Sequence, residues 1–452
     1  MPRNPSKRPP PVAAPAPVSA ATPAPVPSED QLLDARAAAS LLGVKPQTLY
    51  AYTSRGLLRS VPAGAGRARR YHHSELLRLQ QRAAARAGHT AVAAAALSWG
   101  EPVLDSALTR ISATAGPCYR GLPAVELAGR GVRFEAVAEL LWDAVQAPTG
   151  DQLAAALGSL PLAWPRVELG LPLLQLRGLL PTDVSPVQRL LCAVPLWAQR
   201  DPGRFVGSRH GEEGERARAR ALLRRLPLAL CSGSRLAARR KRAERAESIA
   251  AATAAALGAG SNEEAAAINL ALVVMADHEL NASAFAARIA ASVGADLYAC
   301  VTAGLAVLSG PHHGGACDRV EALLSEIGSP SRAAAAIHER ARRGESLPGL
   351  GHPLYPHGDP RAVPLLSLAT QIGLRRPRAR VLAAVVRALA ESGLPPPSVD
   401  MGLVGIAEAL GLPSGSASAL FAVGRSAGWI GHILEQRRSG SPLRPRARYV
   451  GP

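Results

Sequence analysis

Residues 310–316 read GPHHGGA, which sets two of the chain's 11 histidines side by side between Gly-Pro and Gly-Gly. Similar short segments recur in the C-terminal half: ADHELNAS (276–283), GLGHPLYPHGDPRA (349–362), SVDMG (398–402), AVGRSAGW (422–429) and LRPRARYVGP (443–452). Each puts a His, Asp or Arg at a break between apolar helical stretches, where backbone can approach a ligand and a side chain can be aimed. His278, His312, His313, His352 and His357 are the histidines that could serve a metal. The HExxH pattern is absent, because Leu280, Asn281 and Ala282 follow His278-Glu279, and two adjacent histidines on a rigid loop rarely face one ion; no metal is expected. GxSxG does occur in these segments, at Gly424–Gly428 within AVGRSAGW, but a short pattern alone is weak and a serine nucleophile elbow is not the expected chemistry. Carbon-acid chemistry fits better. Removing a proton next to a carbonyl takes a base such as Asp and an acid such as His on the carbonyl oxygen, acting together. Arginines would hold a di- or polycarboxylate by bidentate pairing. Asp400, His313, His352, Arg361, Arg425 and Arg444 are the residues of these types. Spacing alone does not assemble them, and a helix cap, a core histidine or a surface arginine accounts for any one of them taken singly.

The elements that would position these groups read as helices. Of the 452 residues, 48% are apolar and only 4% aromatic, alanine and leucine dominate, and alternating β-branched runs are few. FEAVAELLWDAV sets Phe134, Val137, Leu140 and Leu141 on one face of an amphipathic helix. RVEALLSEIG (319–328) carries a stripe of Val320, Leu323, Leu324 and Ile327 and ends at Gly328. The strongly basic stretch 203–245 is expected to be a solvated helix face. The length suits two or three domains. Residues 1–30 are a Pro/Ala-rich tail expected to be disordered, and residues 87–100 an Ala-rich linker.

Residues 31–86 form a basic unit. LLDARAAASLLG reads as a helix capped by Asp34, with Leu33, Ala37, Leu41 and Leu42 on roughly one face. After a turn at Gly43, KPQTLYAYTSRG is a second helix with Pro46 in its first turn and Gly56 at its end. LLRSVPAGAGRARRYH makes two extended pieces around a Gly-rich turn, and a third helix follows Ser74. This order of parts resembles the winged helix-turn-helix of MerR-type regulators and excisionases. The second helix would enter a DNA major groove with Lys45, Gln47, Thr48 and Tyr50, and Arg67, Arg69 and Arg70 on the wing would meet phosphates or the minor groove. A helical interaction or dimerisation module is the alternative.

The formal net charge is +18, and residues 1–90 hold 13 Lys/Arg against 4 Asp/Glu, so half the excess lies in a fifth of the chain. A polyanionic partner fits that concentration, although Arg-, Ala-, Gly- and Pro-rich composition also arises from GC-rich codons. Five scattered cysteines without a CxxC give neither a disulfide scaffold nor a Cys zinc site, and they fit a reducing cytoplasm. The N-terminus lacks the apolar core of a secretory signal, and charges interrupt the alanine-rich runs, so no membrane association is expected.

Taken in order, the segments resemble the citrate synthase family across nearly all of residues 101–452. CYRGLPAVELA…RFEAVAELLW is similar to that family's N-terminal signature, and ADHELNASAFAARIAASVGADLYACVTAGLAVLSGPHHGGA to its most diagnostic stretch. GLGHPLYPHGDPRA resembles its Gly-His loop, and LFAVGRSAGWIGHILEQ with RPRARYVGP its C-terminal end. The resemblance implies an all-α fold with a large helical domain and a smaller mobile one (about 315–415), working as a homodimer. It implies that Asp400 removes a methyl proton from acetyl-CoA and His313 donates to the thioester oxygen. His352 would bind the ketone of oxaloacetate and protonate the new alkoxide. His278, Arg361 and Arg425 would hold the oxo acid, with Arg444 reaching into the other subunit's site. Leu347, Pro348, Gly349, Leu350 and Gly351 would border the CoA adenine. Acetyl-CoA would be a co-substrate, with no tightly bound cofactor, and water would hydrolyse citryl-CoA. His312 has no role in the family.

The chain departs from the family at two places. Pro353 follows His352, and Pro356-His357 follow Tyr355, where many members carry basic residues that contact CoA. MGLVGIAEALG replaces the usual aromatic-Ser-Gly stretch after Asp400. Three readings therefore stand: a citrate synthase-type acyltransferase, with propionyl-CoA and 2-methylcitrate as the nearest variant; a DNA-binding regulator that senses CoA esters or citrate; and a citryl-CoA lyase.

Overall fold

Asp34 begins the first helix as its residue type predicts: its Oδ1 accepts the Ala37 N–H at 2.8 Å. In the computed structural model, the described residues are 32–42, 46–54, 60–62, 69–72, 75–76, 104–142, 183–205, 207–233 and 235–445, with isolated positions at 44, 58, 157, 164, 167, 180, 181, 449 and 451. The expected tail (1–30), the linker (87–100), Lys45, Arg67, Gly43, Gly56, Ser74 and most of the third helix lie outside the described residues. The chain divides into two compact units, Met1–Asp105 and Ser106–Pro452.

In the first unit, strand β1 (Leu32–Asp34) is followed by helices α1 (Ala35–Leu41) and α2 (Pro46–Ser54) and strands β2 (Ser60–Pro62) and β3 (Arg69–His72). The three strands form an antiparallel sheet in the order β1-β3-β2, with Leu33 opposite Tyr71 and Ser60 opposite Tyr71 on the other side. The sequence reading is corrected at the start. Leu32 and Leu33 pair with β3 instead of entering the helix, and α1 buries Ala38 and Ala39 while Ala37 is exposed. Ala38, Ala39, Leu49, Leu58, Tyr71 and Leu76 make this unit's core.

The second unit opens with strands β4 (Thr109–Ser112), β5 (Gly116–Tyr119) and β6 (Leu122–Pro123), paired antiparallel in that order. Its other described elements are helices. It runs through α3 (Ala124–Gly129), α4 (Phe134–Leu141), α5 (Pro186–Gln199), α6 (Gly207–Leu230), α7 (Leu236–Arg245), α8 (Ile249–Leu257) and α9 (Asn262–Met275). Next come α10 (Ala282–Ser292), α11 (Leu297–Leu308), α12 (Gly315–Ile327), α13 (Ala333–Arg342), α14 (Ala362–Ile372), α15 (Pro377–Glu391), α16 (Val399–Leu410) and α17 (Ser416–Ser439). Side-chain caps start many of these helices: Ser261 in a capping box for α9, Asn281 for α10 and Asp296 for α11.

Helix α17 is the axis of the unit. It is buried from Ser416 to Leu434 and touches α9, α10, α11, α16, α6 and α4. A helix apolar or small-residue on all sides suits such a position. Two expectations change here. Helix α4 is buried on every side, and its acids are answered: Glu135 accepts the Ile249 N–H at 2.6 Å, and Glu139 pairs with Arg220 at 2.6 Å. The basic stretch is also not simply a solvated face. Arg224 is buried and donates to the Ala246 carbonyl, while Arg218 is held between Asp201 and Glu215. Among the described residues no helix is long and apolar enough to cross a membrane.

Candidate active site

Four helix ends converge on the site. The loop 276–281 joins α9 to α10, and the turn 309–314 joins α11 to α12. The long connection 343–361 leads into α14, and Ser398 opens α16. Gln436 and Arg425 belong to α17, which passes behind the loops, and Arg425 faces the site.

His278, His352 and Tyr355 stand together. The His278 Nε2 lies 2.7 Å from the Tyr355 hydroxyl. The rings of His278 and His352 meet edge to face at 5.1 Å, and those of His352 and Tyr355 are 4.8 Å apart. The loop that carries His278 is bent at Glu279, whose φ of 55° lies in the left-handed region, and the Asp277 Oδ2 accepts the Glu279 N–H at 3.2 Å. The Leu354 N–H donates to the His352 Nδ1 at 3.2 Å. Because a backbone amide only donates, neutral His352 carries its proton on Nε2.

Two arginines charge this space. Arg361 lies over the Tyr355 ring at 5.5 Å and is gripped by Asp359, Nε to Oδ1 at 2.9 Å and Nη2 to Oδ2 at 2.8 Å. Burial alone would raise Asp359, but the Arg361 guanidinium outweighs it and holds the carboxyl below its usual range. Burial works against the charge on Arg361 too, yet Asp359 keeps it firmly protonated. Arg425 lies over the Phe421 ring at 5.0 Å and donates Nε–H to the Met275 carbonyl at 2.9 Å. Burial outweighs the opposing pull of the Asp277 carboxylate and, with the like charge of Arg361, lowers its pKa to about 10, so it remains a cation at neutral pH. With one carboxylate gripping one of two buried guanidiniums, the cluster is suited to an anionic ligand.

His313 ends the turn before α12, with its ring edge-to-face on Phe421 at 5.5 Å. Its Nε2 is 2.9 Å from the Ser283 hydroxyl. That hydroxyl also accepts from the Trp429 Nε1–H at 3.1 Å and lies 2.8 Å from the Asn281 Oδ1. Ser283 thus has one proton for two acceptors. When the proton goes to His313, the imidazole keeps its own proton on Nδ1; when it goes to Asn281, that proton sits on Nε2. Burial, then Arg425, lowers the pKa of His313 to about 4. Burial, then Arg361, lowers His352 equally, to about 4. Burial, followed by the two arginines, takes His278 well below the ordinary value. All three are neutral at pH 7 and can act as hydrogen-bond donors or acceptors without carrying charge.

Asp400 sits in the first turn of α16. Its Oδ2 accepts from the Ser398 hydroxyl at 3.0 Å and its Oδ1 from the Cys317 thiol at 3.5 Å. Burial raises its pKa against the pull of these two donors, which makes it a stronger base than a solvated aspartate. The Asp359 Oδ2 also accepts the Val399 N–H at 3.1 Å, so one carboxylate fixes both Arg361 and the start of the helix bearing Asp400.

The loop 347–351 is tied to the same helix start. The Gly351 N–H donates to the Pro396 carbonyl at 2.9 Å, and the Ser398 N–H to the Gly349 carbonyl at 2.8 Å. Gly349 has a φ of +76°, and a Cβ there would meet the Val320 Cγ2 at 2.7 Å, so a side chain is excluded twice over. Leu347 and Leu350 pack against the core.

His278, His313, His352, Asp400, Arg361 and Arg425 therefore lie at one place. Arg444 is exposed and lies outside this cluster in the single chain, and His312 and His357 are exposed. Among the described residues no three His, Cys, Asp or Glu side chains converge as metal ligands would. In the first unit, Gln47, Tyr50, Arg69 and Arg70 are exposed and Thr48 is half-buried. The sequence reading missed Tyr355, Asp359, Ser283 and Cys317. Asp359 was within reach, two residues before Arg361, and Ser283 follows the Asn281 cap by two. Nothing local marks Cys317, which lies 83 positions from Asp400.

Residues 96–446 match the family description "Citrate synthase, C-terminal domain", and residues 32–84 match "Helix-turn-helix domain". The chain is 38% identical over 193 residues to Citrate synthase 2 of Bacillus subtilis, a match covering 42% of this chain and 52% of that relative, so it spans about half the relative's length. It is 31% identical over 361 residues to the citrate synthase of Haloferax volcanii, covering 78% of this chain and 94% of the other. Its structure resembles the crystal structure of citrate synthase from Thermotoga maritima with a TM-score of 0.63 at 25% identity, covering 78% of this chain and 94% of that one. A mostly helical fold, with a helix-turn-helix module ahead of it and a match over residues 96–446, places this chain in the citrate synthase family.

Proposed function

We propose that the chain condenses acetyl-CoA, or another short acyl-CoA, with oxaloacetate and hydrolyses the thioester formed. The observation that carries this reading is the pair of buried arginines, Arg361 and Arg425, grouped with three neutral histidines and followed by a partly buried aspartate of raised pKa. Arg361, Arg425 and His278 hold the carboxylates of the oxo acid. Asp400 removes a proton from the acyl α-carbon while His313 donates to the thioester oxygen, so no full carbanion forms. A substrate oxygen at the His313 Nδ1 selects the state in which the Ser283 hydroxyl donates to Nε2 and the imidazole carries its proton on Nδ1. The α-carbon then bonds to the ketone carbon, and the proton on the His352 Nε2 passes to the new alkoxide. Water cleaves the citryl thioester, giving citrate and CoA. The small domain, about 315–415, closes over the oxo acid before the acyl-CoA is used, which limits wasteful hydrolysis. The loop 347–351 borders the CoA, and Arg444 serves the partner's site in a cytoplasmic homodimer, which brings this exposed residue to a carboxylate.

Thiol release from acetyl-CoA and oxaloacetate, run beside Asp400→Ala, tests the reading. Release of CoA by the wild type and not by the variant is expected. No release with either acetyl- or propionyl-CoA overturns it.

The exposed Arg69 and Arg70 on β3, with the helix-turn-helix match, favour a second activity: binding of double-stranded DNA through residues 31–86. A gel-shift comparison of the full chain with a chain lacking residues 31–90 decides it, since unchanged affinity after deletion removes this reading.

A further inference from the structure

Asp400 is the only carboxylate among the three groups assigned to the chemistry, and it is held by one donor on each oxygen. Ser398, two residues before it, supplies a hydroxyl to Oδ2 at 3.0 Å. The second donor comes from a different element: Cys317, on the first turn of α12, directs its thiol to Oδ1 at 3.5 Å. Cys317 is fully buried, and the helix that carries it begins two residues after His313. One short segment, 313–317, therefore presents the imidazole to the thioester side and the thiol to the base.

We infer that Cys317 is a positioning residue for the base: its thiol, with the Ser398 hydroxyl, fixes the Asp400 carboxylate in one orientation and limits how basic it becomes. The inference rests on Asp400 being the base. The thiol suits this task because it is a weak donor. A strong donor would hold the carboxylate's negative charge too well for it to take a proton from carbon, while no donor would leave it free to rotate or to stay protonated. Cys317 stays a thiol, because burial and then the charge of Asp400 push its pKa well up, so it donates and does not act as a nucleophile.

The surrounding charges are held in place. Arg361 and Asp359 face Asp400 from the start of α14. Asp318 and Glu321, on α12, face Cys317. Asp318 accepts from the Ser418 hydroxyl at 2.7 Å, and Glu321 accepts from the Ser414 hydroxyl at 2.6 Å and the Gly415 N–H. Their partners are unaffected by a change at Cys317, so a shift in the behaviour of Asp400 reports the thiol contact.

Two measurements on the full chain test the inference. In the infrared, the S–H stretching band of wild-type protein, identified by its loss in Cys317→Ala, should lie at the low frequency of a thiol bonded to a carboxylate. It should move up when Asp400 is changed to Asn or is protonated by lowering the pH. A band at the free-thiol frequency that ignores both changes overturns the inference, whether or not the protein turns over. In steady-state kinetics, Cys317→Ala should move the acid limb of kcat upward by about 0.5–1 pH unit, and Cys317→Ser should bring it back toward the wild type. A fall in kcat with the limb unmoved in both variants would mean that Cys317 only fills space. A wild type that shows the bonded thiol band but releases no CoA would sink the proposed reaction and leave the contact standing.

Discussion

Asp359 is the residue on which both the fold around the site and its charge depend, and Asp359→Asn isolates that dependence. Four donors converge on its two oxygens: the Arg361 N–H at 3.1 Å, Nε at 2.9 Å and Nη2 at 2.8 Å, and the Val399 N–H at 3.1 Å. An amide offers one acceptor oxygen, and its NH2 must then face a donor. The substitution also leaves the Arg361 cation buried, at 2% exposure, without its counter-charge. Breaking a buried pair from one side costs about 3–5 kcal/mol, most of it the uncompensated charge. With a urea slope of about 3 kcal/mol/M, the unfolding midpoint should fall by roughly 1–1.7 M at pH 7. The sign with pH follows from the depressed carboxyl. Its contribution is present above the unfolded pKa of about 3.9 and is lost as the pH falls through the lower folded value, so the gap between wild type and variant should close in acid. Asp359→Leu combined with Arg361→Leu should be more stable than Asp359→Asn alone, because it removes the charge instead of stranding it. A midpoint change below about 0.3 M at pH 7, or a gap that widens in acid, would refute this account of the pair.

His313→Ala should nearly abolish CoA release, while His312→Ala, an exposed neighbour, should change it little; equal losses would show that the turn does not divide the two histidines as described. Gly428→Ala should destabilise the fold by about 1–3 kcal/mol and weaken oxo-acid binding, because a Cβ there overlaps the Asp277 carboxylate and the Ala276 carbonyl, next to His278; an unchanged melting temperature would count against that contact. With His313 and His352 both lowered to about 4, the rate should show no limb near the ordinary histidine value of about 6.5. Stability should decline as the pH falls from about 6.5 toward 4, since the unfolded chain takes up protons first, by up to about 2 kcal/mol for each histidine at pH 5. Urea midpoints measured between pH 7 and pH 5 check that decline.

The sequence by itself determined a good deal about this protein. Alanine and leucine with scarce aromatics mean helices, because those residues lose little on entering a helix. The Asp34 cap and Gly328, which ends α12, are local features, and local hydrogen bonding or backbone freedom makes them readable. His278, His313, His352, Arg361 and Asp400 were legible as candidates because each sits at or beside a Gly-punctuated break between helices; Arg425, read the same way, lies instead in the middle of the continuous helix α17, whose small residues let other elements pack close. Tertiary structure alone decided what depends on contact between distant segments. Leu33 pairs with Tyr71 in a sheet, since a strand forms only when a partner is present. Glu135 and Glu139 look solvent-facing by periodicity, yet they are buried because α8 and α6 bring an N–H and a guanidinium to them. The tautomers open to His313 depend on Ser283, Asn281 and Trp429, and the setting of Asp400 depends on Cys317 from another helix. Periodicity registers which side of an element is apolar; it carries no information on which remote donor, acceptor or charge will meet that side, and the chemistry of these groups is fixed by those meetings.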